Sequence, residues 1–134
     1  MTDISKITLY SGGHKGAEAE FGKLAEVWKM NEVTISFEGH NAERTRGVWV
    51  LNTQELQKGD VSMEIVYKRM GRTYTTAEKI RRVMQSIFHM VNNGYQVFAV
   101  GWIKEDNTVK GGTGWGVELA KFFNRPVSVF DQDK

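Results

Sequence analysis

"ITLYSGGHKGAEAEFGKLAEVW" (Ile7–Trp28), followed three residues later by "EVTISF" (Glu32–Phe37), decides the fold. "KITLY" reads as a short buried strand, because Ile7 and Leu9 are flanked by β-forming residues. Phe21, Leu24, Ala25 and Trp28 recur at helical spacing. Val33, Ile35 and Phe37 then alternate, as the apolar face of a second strand would. Strand, glycine turn, helix and strand make a βαβ unit, whose strands run parallel through a right-handed crossover.

Outward from that unit the signals vary in strength. "EGHNAERTRG" is polar and reads as a loop. Over "TQELQKGDVSMEIVYKRMGR" the positions Leu56, Met63, Val66 and Met70 favour a helix, although Val61, Met63, Ile65 and Tyr67 also alternate. Thr75 with Glu78 forms a capping-box pattern. Ile80, Val83, Met84, Ile87, Phe88 and Val91 then mark an amphipathic helix. "NNG" (Asn92–Gly94) ends it through a left-handed cap. "YQVFAVG" (Tyr95–Gly101) is a strand, "WIKEDNTVK" a loop, and "GGTGWGVELAKFF" (Gly111–Phe123) a second glycine turn and helix. Asn124, Arg125 and Pro126 stop that helix, and "PVSVF" is the closing strand.

The element order is α/β. It predicts an open, mainly parallel sheet of about four or five strands, with helices on both faces, in one domain spanning 1–134. Such sheets bind ligands beyond the carboxyl ends of their strands, where strand order reverses. The strands ending at Tyr10 and Gly101 are the expected neighbours there. Their two glycine turns should then face one crevice.

Composition narrows the chemistry. The chain has 134 residues, 40% hydrophobic and 25% charged, with 18 Lys and Arg against 16 Asp and Glu. A net charge of +2 is a weak electrostatic footprint, so nucleic acid is a disfavoured partner. The absence of cysteine excludes disulfides, thiolate catalysis and Cys-ligated metals. No metal-ligand spacing links His14, His40 and His89, so no metal site is expected. His89 falls off the apolar stripe of its helix. No signal peptide or membrane span is visible, and a cytoplasmic location is expected.

Helix N-termini present unpaired N–H groups and a positive dipole end, and glycine lets an anion approach them closely. In "SGGHKG", Ser11 offers a hydroxyl, Gly12, Gly13 and Gly16 offer room, and Lys15 offers a cation beside His14. Neither turn fits a standard nucleotide fingerprint, and glycine can equally serve turn geometry alone. Trp115 could stack on a base or pack against Leu119. Glu18 and Glu118, each one turn into its helix, could hold a ribose hydroxyl, act in acid–base chemistry, or simply complement the helix dipole. Arg44, Arg46, Arg81 and Arg82 are either solvated or available to phosphate.

"SGGHKGAEAEFGKLA" resembles the opening of the SLOG superfamily. "GGTGWGVELAKFFNRPVSVFDQ" resembles the closing segment of its small stand-alone bacterial and phage members, some described as molybdenum-cofactor carriers. The resemblance covers both ends of the chain and little of the middle. It implies a Rossmann-like fold and binding of a nucleotide or nucleotide-derived phosphorylated ligand, with no required cofactor. The implied binding residues are Ser11, Gly12, Gly13, His14, Lys15, Gly16, Glu18, Gly101, Gly111, Gly112, Thr113, Gly114 and Trp115. The Lonely Guy phosphoribohydrolases of this superfamily carry PGGxGTxxE. Gly111, Gly112, Gly114 and Glu118 match it, so hydrolysis of a nucleoside-monophosphate N-glycosidic bond with Glu118 as the catalytic residue is the alternative. Lys110 and Trp115 depart from that motif. The Arg it needs on the preceding helix is missing near Ser86 and Ile87, with Arg82 a turn earlier. Single-stranded DNA binding, as in DprA, is a third reading that the near-neutral charge disfavours. Related proteins form dimers, so a homo-oligomer is implied.

Overall fold

The computed structural model describes residues 4–74, 76–109 and 112–132. After a 3-10 turn at Ile4–Lys6, strand β1 (Thr8–Ser11) leads through the glycine turn into helix α1 (Ala17–Val27) and strand β2 (Asn31–Phe37). A polar loop follows, then strand β3 (Val48–Leu51) and helices α2 (Thr53–Gln57), α3 (Asp60–Arg69) and α4 (Glu78–Asn93). Strand β4 (Val97–Gly101), helix α5 (Gly112–Phe122) and strand β5 (Val127–Asp131) complete the order.

Every ladder is parallel, as the βαβ reading requires. The strands do not form one sheet, however. β1, β2 and β3 make a three-stranded sheet in that order, and β4 pairs with β5 in a two-stranded one. The expected pairing of β1 with β4 is therefore corrected: among the described residues no ladder joins them. Side chains of α4 link the sheets instead. Val83 packs against the cluster of Ile35, Phe37, Leu51 and Leu56 and also against the cluster of Met63, Val66, Met84, Trp115 and Leu119. A hydrophobic stripe announces a helix but does not reveal that two cores share it.

That sharing explains α4. Its buried residues include Gln85, Ser86 and His89 as well as Met84 and Val91, while Ile80 is exposed. His89, expected off the apolar face, is buried against the edges of Trp49 and Phe88, and its Nε2–H donates to the Glu55 carbonyl at 2.6 Å. Gly94 ends α4 in an extended conformation (φ −85°, ψ 153°), not the expected left-handed one. Asn93 donates its side-chain amide to the His89 carbonyl at 2.7 Å, which satisfies one of the helix-end acceptors. The Thr75 capping position lies outside the described residues.

The segment after Gly39 holds what the pattern hid. "VWVL" is a strand, too short for its alternation to stand out beside the loop. The expected helix is two helices, broken at Lys58 and Gly59. Asn52 caps the first of them: it accepts from the Glu55 N–H at 2.8 Å, while the Glu55 carboxylate accepts from the Asn52 N–H at 3.0 Å.

β2 has two different faces. Val33, Ile35 and Phe37 pack toward α4 as their alternation predicts. Glu32, Thr34 and Ser36 are also buried. Gly22 of α1 approaches Glu32 so closely that an added Cβ would lie 2.4 Å from its carboxylate. Helices thus cover both faces of this sheet.

Gly47 (φ +61°) is a second close approach: a Cβ there would lie 1.9 Å from the Glu32 carbonyl oxygen. Gly39 (φ +86°) shares the left-handed geometry but faces open space. Gly47→Ala is expected to cost about 2–3 kcal/mol of unfolding free energy, and Gly39→Ala about 1–2. Urea unfolding of both variants measures the difference.

Candidate functional site

The polar face of β2 organises the region around the first glycine turn. The Glu32 side chain is 0% exposed and meets Arg44 in two hydrogen bonds, Nη2 to Oε1 at 2.8 Å and Nε to Oε2 at 3.1 Å. Arg46 adds its charge at 3.6 Å and donates to the Met30 carbonyl at 2.7 Å. Arg44 also reaches Glu26 on α1 at 2.9 Å. These hydrogen bonds raise the Arg44 guanidinium further above its ordinary value and lower the Glu26 carboxyl. Arg44 and Arg46 are therefore engaged with Glu32 rather than free for phosphate. Arg81 pairs with Asp60, and Arg82 with Glu78.

Held by Arg44, the loop between β2 and β3 folds onto the turn. The Glu43 and Arg44 N–H groups both donate to the Gly13 carbonyl, at 2.8 and 3.1 Å. Gly13 is left-handed (φ +64°), and a Cβ on it would meet Thr34 at 2.8 Å and Arg44 at 2.9 Å. Ser11 is buried, and its hydroxyl accepts from the Gly13 N–H at 3.2 Å. Gly12 is buried beside Met90 and the Glu18 carboxylate. Three of the predicted binding residues, Ser11, Gly12 and Gly13, thus face inward and build the turn.

The next three face outward. His14, Lys15 and Gly16 are exposed. Gly16 precedes α1 with φ +108°, and no atom lies within 4 Å of where its Cβ would be. Glu18 turns back over this stretch and accepts from the His14 N–H at 3.3 Å. Two open depressions flank it. One of about 360 Å³ is lined by His14, Lys15, Asn41, Ala42 and Glu43. The other, about 460 Å³, is lined by Gly16, Ala19, Glu20, Lys23, Glu43 and Arg44. His40 stands nearby, hydrogen-bonded through Nδ1 to Ser36 at 3.0 Å and packed on Phe37. Burial lowers its pKa, against the opposing charge of Glu18. Sequence reading missed His40 and Glu43, because a polar loop gives no sign of which residues fold back over a turn.

The second glycine turn is built differently. The loop after β4 returns as a hairpin, with Ile103 bridged to Val109. A Cβ on Gly114 would sit 1.9 Å from the Val109 carbonyl oxygen, and one on Gly101 would sit 3.0 Å from the Val109 side chain. Gly101 and Gly114 are thus glycines of close packing. Trp115 is 8% exposed and stacks on Tyr67 with ring centroids 3.8 Å apart, so its ring serves the core. Glu118 pairs with Lys121 at 3.4 Å. Thr113 is exposed, Gly112 begins α5, and Gly111 lies outside the described residues, as does Lys110. Among the described residues no hydrogen bond, ion pair or ring contact joins this turn to Ser11–Glu18. Nor does any group of three His, Asp or Glu among them suit a metal ion, and no helix is long and apolar enough to cross a membrane.

No family model, curated protein or solved structure matches this chain.

Arg44→Ala would leave the Glu32 carboxylate buried without its main partner, and should destabilise the protein by about 3–5 kcal/mol. Urea unfolding at neutral pH checks this. A base whose folded-state pKa is lowered stabilises the fold fully above its unfolded value, here near 6.5, and that contribution is lost as pH falls through the folded value. An NMR titration should therefore give His40 a midpoint below 6.5. Glu18→Gln removes the charge that opposes the shift, and should lower the midpoint further.

Proposed function

We propose that this protein binds a nucleotide or nucleotide-derived phosphorylated ligand at the outward half of the first glycine turn. The observation that carries the reading is Gly16. It holds a backbone conformation suited to glycine, at the start of a helix, with open space in front of it and the exposed Lys15 beside it. Amides at a helix start lack intrahelical acceptors and sit at the positive end of the dipole, which suits a phosphate.

The surrounding charges favour more than a bare anion. Glu43 lines both depressions, and Glu18 accepts from the N–H of His14, which lines one of them. Carboxylates repel phosphate but accept hydrogen bonds from hydroxyl and amino groups. A ligand carrying a phosphate together with sugar hydroxyls or an amino group satisfies both halves of the site. The resemblance of the two glycine motifs to the SLOG superfamily supports the same ligand class.

Thermal-shift measurements with nucleoside monophosphates, cyclic dinucleotides, ADP-ribose derivatives and inorganic phosphate test the proposal. Nucleotides should stabilise the protein more than phosphate does. Lys15→Gln should weaken nucleotide binding by about tenfold or more, the scale of a hydrogen bond to a charged group. Stabilisation by none of these anions would refute the reading.

A further inference from the structure

The net charge of +2 conceals an uneven distribution. Residues 68–82 carry six of the 18 Lys and Arg and one of the 16 Asp and Glu, so the rest of the chain is net negative. This stretch spans the end of α3, the loop after it and the start of α4. Its arginines sit around a row of buried rings. Trp115 stacks on Tyr67, and Tyr67 meets Tyr74 with ring centroids 5.0 Å apart. Arg72 lies over Trp115, its Cζ 5.2 Å from the ring centroid, and Arg81 lies over Tyr74 at 4.1 Å. Arg69 lies over Phe122 at 4.9 Å. Arg81 and Arg82 are paired with Asp60 and Glu78. Lys68, Arg69, Arg72 and Lys79 are exposed, and among the described residues none of the four makes an ion pair.

We propose that this face docks an acidic segment of a partner protein, whose carboxylates meet Arg69 and Arg72. A guanidinium already held over a ring loses little freedom on binding, and its fork of N–H groups matches a carboxylate in two parallel hydrogen bonds. Clustered arginines are a recurrent means of recognising acidic motifs. Lys68 and Lys79 extend the positive surface on either side. Ile65, one turn before Arg69, and Ile80, next to Lys79, are exposed and offer apolar contact to side chains between the carboxylates. The same features select against other polyanions. Single strands stack their bases on aromatic faces, and here Tyr67, Tyr74 and Trp115 are buried. A duplex is held by more phosphate contacts than four unpaired cations supply. Helices that lie on anionic membranes oppose a basic face to an apolar one. On α3 the exposed Glu64 instead adjoins the exposed Val61 and Ile65.

Fluorescence anisotropy of a labelled polyglutamate peptide tests this, read at about 20 mM and about 300 mM salt. Binding should saturate at the lower salt and weaken at least about tenfold at the higher. Arg72→Lys keeps the charge but loses the fork, and should weaken binding at least about threefold. Arg69→Gln combined with Arg72→Gln should weaken it at least about tenfold. Lys15→Gln, in the proposed nucleotide site, should leave it unchanged, so this inference and that reading fail separately. An NMR titration of the unmodified protein needs no variant to fold. The peptide should shift the backbone amides of residues 68–73 and of Lys79 most. Absence of binding at the lower salt would overturn the inference. So would undiminished binding by a folded Arg72→Lys variant, or amide shifts centred on Lys15. Tighter binding of an oligothymidylate of equal charge, or of phosphatidylserine vesicles, would overturn it too.

Discussion

The carboxylate of Glu32, buried in the middle strand of the larger sheet, is the constraint on which the rest of the site depends. A buried charge is costly unless it is paired and hydrogen-bonded. Arg44 supplies the pairing from a loop twelve residues further along the chain, and Arg46 adds to it. To reach Glu32 the loop must cross the glycine turn after β1, and Gly13 and Gly22 leave the space for it. A polar segment that would otherwise be solvated is thereby fixed against the turn. Its Asn41, Ala42 and Glu43 become walls of the opening beside Lys15.

The same arrangement divides the turn by role. Ser11, Gly12 and Gly13 are consumed by packing and internal hydrogen bonds, while His14, Lys15 and Gly16 remain presented to solvent. The open helix start at Gly16 lines one depression and Lys15 the other, with Glu43 lining both, an arrangement that suits a ligand with both an anionic and a hydroxyl-bearing part. His40 adds a group whose charge changes below neutrality, within the electrostatic reach of Glu18 and His14.

Much of the fold was legible in the sequence because it is written in local periodicity. The βαβ unit, the helix α4, the stop at Asn124–Pro126 and the apolar face of β2 all appear where the patterns put them, although α4 buries Gln85, Ser86 and His89 and exposes Ile80. What could not be read was non-local. Alternation identifies a strand but not its partner, so the division into two sheets left no trace. Glu32, Thr34 and Ser36 look like the solvent face of β2, and only partners further along the chain make their burial tolerable: Arg44 for Glu32, the Arg46 carbonyl for Thr34 and His40 for Ser36. The glycines divide the same way. A glycine that gives an anion room and one that lets another backbone approach are identical in sequence. Gly16 has open space, whereas Gly114 meets the Val109 carbonyl. Trp115 showed the same ambiguity between stacking and packing, and Tyr67, which decides it, lies far away in the chain.

The most direct test of the account is a backbone amide NMR titration with adenosine monophosphate. The account predicts the largest shift changes at His14, Lys15, Gly16 and Ala17, with smaller ones at Asn41 to Glu43. Saturable changes confined to another part of the molecule, or no changes at all, would contradict it.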